Sequence, residues 1–280
     1  MNAERHTVVY EPNRHLKQGI RIWKEMGAEL FESRELVWRL FVRNLMARYK
    51  QTALGYVWIV LTPAVAIGTF MVLHRAGVFQ VGELSMPYPL FALMGLTVWQ
   101  LFATGLSCGC QSLVGAGDMI AKINFPRETL VFAAMAQALF EFAVKYGLIL
   151  LGCWLWGWRP SWGIVLFPLA ALPLFVLTVG LSLMLALLNG VIRDTANAVA
   201  LITTFLMFLT PVFYPVPPEK GWVFQLNPLT PLVEAPRRLA VTGTLGDGAG
   251  FVSASGLAVL VFLLAWRVFH LVETKIPERM

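Results

Sequence analysis

Charge is missing from this chain in long blocks. No Asp, Glu, Lys or Arg falls within residues 51–73, 84–117, 160–192, 195–218 or 248–266. A sixth block, 129–158, is broken only by Glu141 and Lys145. A helix needs about 20 consecutive apolar residues to cross the hydrocarbon core of a bilayer, and each block reaches or approaches that length. Lipid offers no partner to an unpaired backbone N–H or C=O, so the helix is the spanning form expected. The pattern predicts an all-α membrane protein with six transmembrane helices, near 54–73, 88–113, 129–152, 163–189, 197–214 and 251–270. The long second and fourth blocks each read as one span with apolar flanks, because a two-helix hairpin takes roughly 40 residues and a turn.

Three connecting stretches carry patterns of their own. In residues 33–50, Ser33 is placed to cap a helix and Glu35 suits its first turn. At helical spacing Arg39, Arg43 and Lys50 form a narrow stripe. Leu36, Val37, Trp38, Leu40, Phe41, Val42, Leu45 and Met46 fill most of the other sides. A wide apolar face with a thin basic stripe fits an amphipathic helix in the inner interface, its cations reaching phosphates. A helix packed on the bundle is the alternative. In residues 114–127, Gly115 and Gly117 end the second span, Asp118 is placed to cap a two-turn helix, and Pro126 stops it. Met119, Ile120 and Ile123 then need cover, either from a soluble partner or from the bundle itself. Residues 211–243 hold six prolines after Pro211 yet stay rich in Val, Leu, Phe and Trp. Thr230 before Pro231 predicts a helix start and Gly243 a stop. An apolar piece too short to span suggests re-entrant half-helices before the last span, buried in protein or lining a cavity. A cap resting on the outer interface is the other reading.

Composition sharpens this picture. Of 280 residues 58% are hydrophobic and 14% charged, against about 25% charged in a soluble domain. The net charge of +6 is unevenly spread. With both termini cytoplasmic, sixteen Lys and Arg lie inside and five outside, with Lys145 left in the membrane. That asymmetry is a topology signal and argues against nucleic-acid binding. The first 30 residues are polar and show no cleavable signal sequence. Residues 1–29 read as an N-terminal cytoplasmic extension. Cys108, Cys110 and Cys153 form no metal or disulfide spacing and read as small buried residues.

Trp154, Trp156, Trp158 and Trp162 cluster where the third span hands over to the fourth, as an interfacial belt would. Tyr56, Trp58, Phe205, Phe208, Phe213 and Tyr214 leave three roles open: lipid contact, core packing, or a path that stacks on apolar sugar faces. Glu141 and Lys145, four residues apart, fit a self-compensating pair facing the bundle, because a lone charge there costs at least about 2.5 kcal/mol. A proton relay would call for further acidic or His residues in the spans.

The sequence has no Gly-Lys-Ser or Gly-Lys-Thr, hence no phosphate-cradling loop, and no HExxH or CxxC. Its four histidines are scattered. No catalytic residue, metal or cofactor is expected in this chain.

Three motifs do stand out in order: RYKQTALGYVW (Arg48 to Trp58), KINFPRE (Lys122 to Glu128) and NPLTPLVEAPRRL (Asn227 to Leu239). Over six spans they resemble the permeases of polysaccharide-exporting ABC transporters, in the type-2 exporter pattern. The RYKQT and FPRE forms look nearer the O-antigen and teichoic-acid branch, and the resemblance covers roughly residues 30–275.

That resemblance implies the function: the membrane-spanning subunit of an ATP-driven exporter of lipid-linked polysaccharide in the bacterial inner membrane. It implies a homodimer working with two ABC ATPase chains, which bind ATP and Mg. It divides the chain into an interface helix at 30–53 and a transmembrane domain at 54–275. Residues 115–127 would be the coupling helix, with Asp118, Met119, Ile120, Lys122, Phe125 and Arg127 meeting the ATPase. Residues 215–243 would be the periplasmic gate, with Asn227, Pro228, Pro231, Glu234 and Arg237. Arg39, Arg43, Arg48 and Lys50 would attract the pyrophosphate of the lipid carrier, and the six aromatics named above are glycan-path candidates. The competing readings are a permease for drugs or small lipids, and a membrane glycosyl- or acyltransferase.

Overall fold

The structure, a computed structural model, describes residues 19–49, 54–76, 84–122, 125–215, 224 and 226–272. Within these residues every regular element is a helix: α1 (Gly19–Glu32), α2 (Arg34–Tyr49), α3 (Val57–Arg75), α4 (Tyr88–Gln111), α5 (Gly117–Lys122), α6 (Glu128–Leu155), α7 (Phe167–Ala170), α8 (Leu172–Val191), α9 (Thr195–Leu209), α10 (Leu229–Thr242) and α11 (Gly248–Val272). Short 3₁₀ turns at Val114–Ala116 and Trp162–Leu166 lead into α5 and α7.

The fold is built around α4, which packs against α6, α8, α9 and α10. Its residues are buried on nearly every side, from Leu90 to Cys110, as expected of a helix that is apolar all round. Small residues let α8 come close. A Cβ at Gly105 or Gly109 would overlap Thr178 or Ser182 of α8, the small-residue contact by which helices associate without water to drive them together. Ser182 Oγ donates to the Gly105 carbonyl at 3.3 Å, and Asn189 Nδ2 to that of Cys110 at 3.0 Å. The far side of α8 carries α11, whose outer face exposes Val252, Leu260 and Leu264.

Among the described residues, four segments are long and apolar enough to cross a membrane: Tyr88–Gln111, Glu128–Leu155, Trp162–Val191 and Gly248–Val272. Six were expected. The other two candidates, Val57–Thr69 within α3 and Thr195–Leu209, are apolar but shorter. At 1.5 Å per residue, the 15 residues of α9 cover about 22 Å, short of the roughly 30 Å core. The chain turns extended at Thr210 (φ −114°, ψ 137°) and meets Pro211. The expected single span at 163–189 is one of the four, although its helix is broken into a 3₁₀ turn, α7 and α8. Pro168 and Pro173 each fall in a first helical turn, of α7 and α8, where a missing N–H is tolerated and the preceding helix ends.

The N-terminal region differs as well. The expected helix at 33–50 is α2, and its Leu40 and Phe41 are buried against α6 while Trp38 stays exposed. Packing on the bundle, one of the two alternatives, therefore accounts for part of its apolar face. Ahead of it lies a helix the sequence reading did not anticipate. α1 presents Met26, 1% exposed, to the protein and stands Trp23 edge-on to Trp266 at 6.0 Å. The same Trp266 donates its Nε1–H to Glu128 at 2.7 Å, and His270 Nδ1 lies 3.1 Å from the other oxygen of that carboxylate. One buried acid thus ties the start of α6 to the end of α11 and, through the indole, to α1.

Candidate functional site

α10 and α5 sit at opposite ends of α4, because α10 meets α4 near Phe91 and Gly95 whereas α5 follows its last turn. Each end gathers sequence-predicted residues.

At the α10 end, α9 gives way to irregular backbone over residues 210–215. Carbonyls that leave a helix need new donors, and side chains supply them. Asn227 Nδ2 donates to Leu209 O at 3.2 Å, Arg237 Nη1 to Val212 O at 3.2 Å, and Tyr88 Oη to Phe213 O at 3.2 Å. The Tyr214 hydroxyl returns to Phe208 O. Arg237, 3% exposed, lays its guanidinium 3.9 Å over the Phe91 ring. Arginine keeps its charge in a protein interior, so the ring face and the carbonyl are the polarisable partners that make its burial tolerable. Gly95 makes room: a Cβ there would overlap the Val212 carbonyl oxygen. This arrangement is the condition under which non-helical backbone survives at membrane depth.

α10 itself is buried along most of its length, including Leu232, Val233 and Ala240. Its start is not the expected Thr230. The helix begins at Leu229, whose N–H is taken by Asn227 Oδ1 at 3.0 Å. With the cap supplied three residues earlier, the Thr230 hydroxyl has no hydrogen-bond partner. The stop is as expected, since Gly243 adopts the left-handed conformation (φ 77°) and donates to Leu239 O at 3.0 Å. Glu234 accepts from Arg238 Nε at 2.6 Å. Residues 216–223 and 225 of the predicted 215–243 segment lie outside the described residues, so the second half-helix expected there is not described.

Deeper toward α5, Glu141 (5% exposed) and Lys145 (4%) face the bundle as a pair at 3.4 Å. The structure adds a third member. Arg48 Nη1 stands 3.5 Å from Glu141 Oε1 and donates to Cys108 Sγ at 3.4 Å. Arg48 was grouped with Arg39, Arg43 and Lys50 as a phosphate-attracting stripe. Its Nη1 faces the buried Glu141 while the side chain as a whole stays 45% exposed. Arg39 remains on the exposed surface with Glu35 at 2.6 Å, and Arg43 donates to Asn44 Oδ1 at 3.2 Å and reaches Met119 Sδ of α5 at 3.6 Å. Lys50 lies outside the described residues.

At α5, Met119, Ile120 and Phe125 are partly buried against the cluster of Leu113, Ala116, Leu130 and Val131. The apolar side of this short helix therefore folds back on the bundle, one of the two options the sequence left open. Lys122 and Val114 are exposed and Arg127 is half-buried. The Asp118 side chain, with Ile123 and Asn124, lies outside what is described.

The aromatic candidates do not behave as one group. Tyr56, Trp58, Phe205 and Phe208 are exposed on α9, α3 and the turn before it, and Tyr214 is half-buried. Phe213 is 5% exposed and belongs to the core. Among the described residues no three His, Cys, Asp or Glu side chains cluster to hold a metal.

Comparison with known proteins covers most of the chain. Residues 35–239 match the family described as ABC-2 type transporter. The chain is similar to the O-antigen export system permease protein RfbA of Myxococcus xanthus, 27% identical over 248 residues, 86% of this chain and 94% of that one. It is 28% identical over 211 residues to the protein of the same name from Klebsiella pneumoniae, covering 72% and 79%. It is 24% identical over 252 residues to the polysialic acid transport protein KpsM of Escherichia coli, covering 84% and 92%.

Proposed function

This chain belongs to the ABC-2 type transporter family, and from that premise we propose that it is the membrane-spanning subunit of an ATP-driven exporter of lipid-linked polysaccharide. One observation carries the reading: relatives that it matches over most of both lengths are permeases of O-antigen export. It is a transporter subunit, and energy comes from a separate ABC ATPase that binds ATP and Mg.

The physical features above support a finer organisation. α3, and α9 together with the irregular residues 210–214 that follow it, complete a set of six crossings in the bacterial inner membrane, with both termini cytoplasmic as the Lys and Arg distribution favours. The divisions at 30–53 and 54–275 remain the working boundaries. Two copies enclose the glycan path, lined by the exposed Tyr56, Trp58, Phe205 and Phe208, and two ATPase chains grip the inner face at residues 115–127. α10 and the stitched backbone before it form the outer gate. The pyrophosphate of the carrier meets Arg39 and Arg43 at the inner leaflet, while Arg48 serves the buried Glu141. A ligand-driven shift requires different contacts in two states. The Arg43–Met119 contact gives a route by which a push on α5 reaches α2.

Deleting the gene and following the glycan tests this directly. Lipid-linked polymer should accumulate on the cytoplasmic side and vanish from the surface, with return on complementation. A surface that keeps its polymer rejects the reading.

A further inference from the structure

One stripe of α4 is polar. Thr97, Gln100, Thr104, Ser107, Cys108 and Gln111 recur at three- and four-residue spacing, which places them within about 100° of arc on the helix. Exposure falls along the stripe away from α5. Gln111 is exposed, Cys108, Ser107, Thr104 and Gln100 are half-buried, and Thr97 is 1% exposed. A second stripe, Gln137, Glu141 and Lys145 on α6, is buried. The two helices run antiparallel, since Gly105 meets Ala138 and Leu90 meets Gly152. Lys145, halfway between Ala138 and Gly152, therefore stands level with Thr97. Arg48 joins the stripes lower down, with Glu141 on one side and Cys108 on the other.

Thr97 supplies the pointer. A threonine within a helix can give its hydroxyl to the carbonyl one turn back. Thr178 does so at 2.7 Å, and Thr203 and Thr204 at 2.8 Å. Thr97 does not. Its Oγ1 is sealed from the surface without a hydrogen-bond partner, and so is the Oε1 of Gln100, one turn along the same stripe. Buried polar groups are costly unless paired, and lipid tails offer them no partner. Water does, because a buried water sits where about two to four polar groups converge. Thr97, Gln100 and Thr104 present such groups in line, level with the charged pair on α6.

We infer that the seam between α4 and α6 binds a file of ordered water, which enters at the α5 end beside Gln111 and reaches Thr97 and the Glu141–Lys145 pair. The ligand is water itself. It supplements the pairing of Lys145 with Glu141 rather than replacing it, and lowers the cost of holding charge at membrane depth. The inference uses no property of the transported substrate and stands apart from the exporter reading.

Hydroxyl-radical footprinting with pulsed X-rays tests this, because radicals born from bound water oxidise the side chains beside it even where bulk solvent is excluded. The full chain in lipid nanodiscs is irradiated and the oxidised residues are mapped by mass spectrometry. Each rate is divided by the intrinsic reactivity of its side chain. Lys145 and Glu141, 4% and 5% exposed, should then oxidise severalfold faster than Cys110, which is 0% exposed on the other side of α4. Thr104→Leu puts an apolar branch in the middle of the stripe and should bring Lys145 down to the Cys110 rate, with exposed Lys122 unchanged. Thr97→Val gives an independent sign. Where the hydroxyl is unpaired, a methyl in its place raises the unfolding midpoint; where water pairs it, the midpoint falls. Lys145 and Glu141 rates equal to that of Cys110, no effect of Thr104→Leu, or a higher midpoint for Thr97→Val overturns the assignment. A second copy of the chain packed into the seam would protect Lys145 as fully as Cys110, which also overturns it. If Thr104→Leu fails to give monodisperse protein, the unsubstituted chain decides alone, since its rates need no variant.

Discussion

The guanidinium of Arg237 stacks 3.9 Å above the ring of Phe91 while donating to the carbonyl of Val212 at 3.2 Å. One side chain thereby fastens α10 to α4 and closes off the backbone that α9 abandoned. Arg237→Ala should destabilise the detergent-solubilised protein by about 2–4 kcal/mol, from the lost cation–π contact and the orphaned carbonyl. Arg237→Lys should fall between, since an ammonium keeps the charge but cannot spread a plane over the ring while reaching the carbonyl. Thermal unfolding of the two variants gives the ranking; equal midpoints would show that charge alone matters.

Gly95 faces the same carbonyl. Gly95→Ala drives a methyl group into Val212 O and should push residues 210–215 off α4, lowering the unfolding midpoint and impairing export. Gly147→Ala is the control, because nothing lies within 4 Å of its added methyl and alanine favours the helix by up to about 1 kcal/mol. A drop in both variants would point to a general intolerance of the helices rather than to this contact.

Glu141 holds two cations, Lys145 at 3.4 Å and Arg48 at 3.5 Å. Glu141→Gln leaves Lys145 buried without a counter-charge and should cost roughly 3–5 kcal/mol. Adding Lys145→Met to Glu141→Gln should restore much of that loss, since the remaining Arg48 is 45% exposed and able to turn toward water. A double-mutant cycle on unfolding midpoints reads the coupling. Strictly additive losses would mean that Glu141 and Lys145 act independently.

How much of this was written in the sequence depends on the range of the interaction. The bilayer imposes its length on every crossing, so charge-free blocks located α4, α6 and α11 within a few residues of 88–113, 129–152 and 251–270. Gly243 stopped α10 for a local reason, its left-handed backbone. Pro168 and Pro173 carried the division of the fourth block, but its unbroken apolarity outweighed them. α1 was missed because it has no apolar run, although Ile20, Trp23 and Leu30 recur at helical spacing. Arg48 with Glu141, and Arg237 with Phe91, lie far apart in the chain and leave no local trace. A basic stripe on one helix looked uniform until a buried carboxylate on another claimed one of its members.

The two faces of α5 allow docking to be separated from folding. Met119 and Ile120 are spent on the bundle, whereas Lys122 is exposed. Lys122→Glu should therefore leave the unfolding midpoint within about 0.5 kcal/mol, as exposed substitutions usually do, yet reduce co-purification of the ATPase and ATP-driven export if that surface is gripped. Met119→Ala should do the reverse first, lowering stability by up to a few kcal/mol according to how well its half-buried site collapses. It should also loosen the Arg43 contact. Were Lys122→Glu to retain the ATPase fully while Met119→Ala lost it without unfolding, the gripped face would be the one now turned to the bundle. α5 would then have to swing out before the partner arrives.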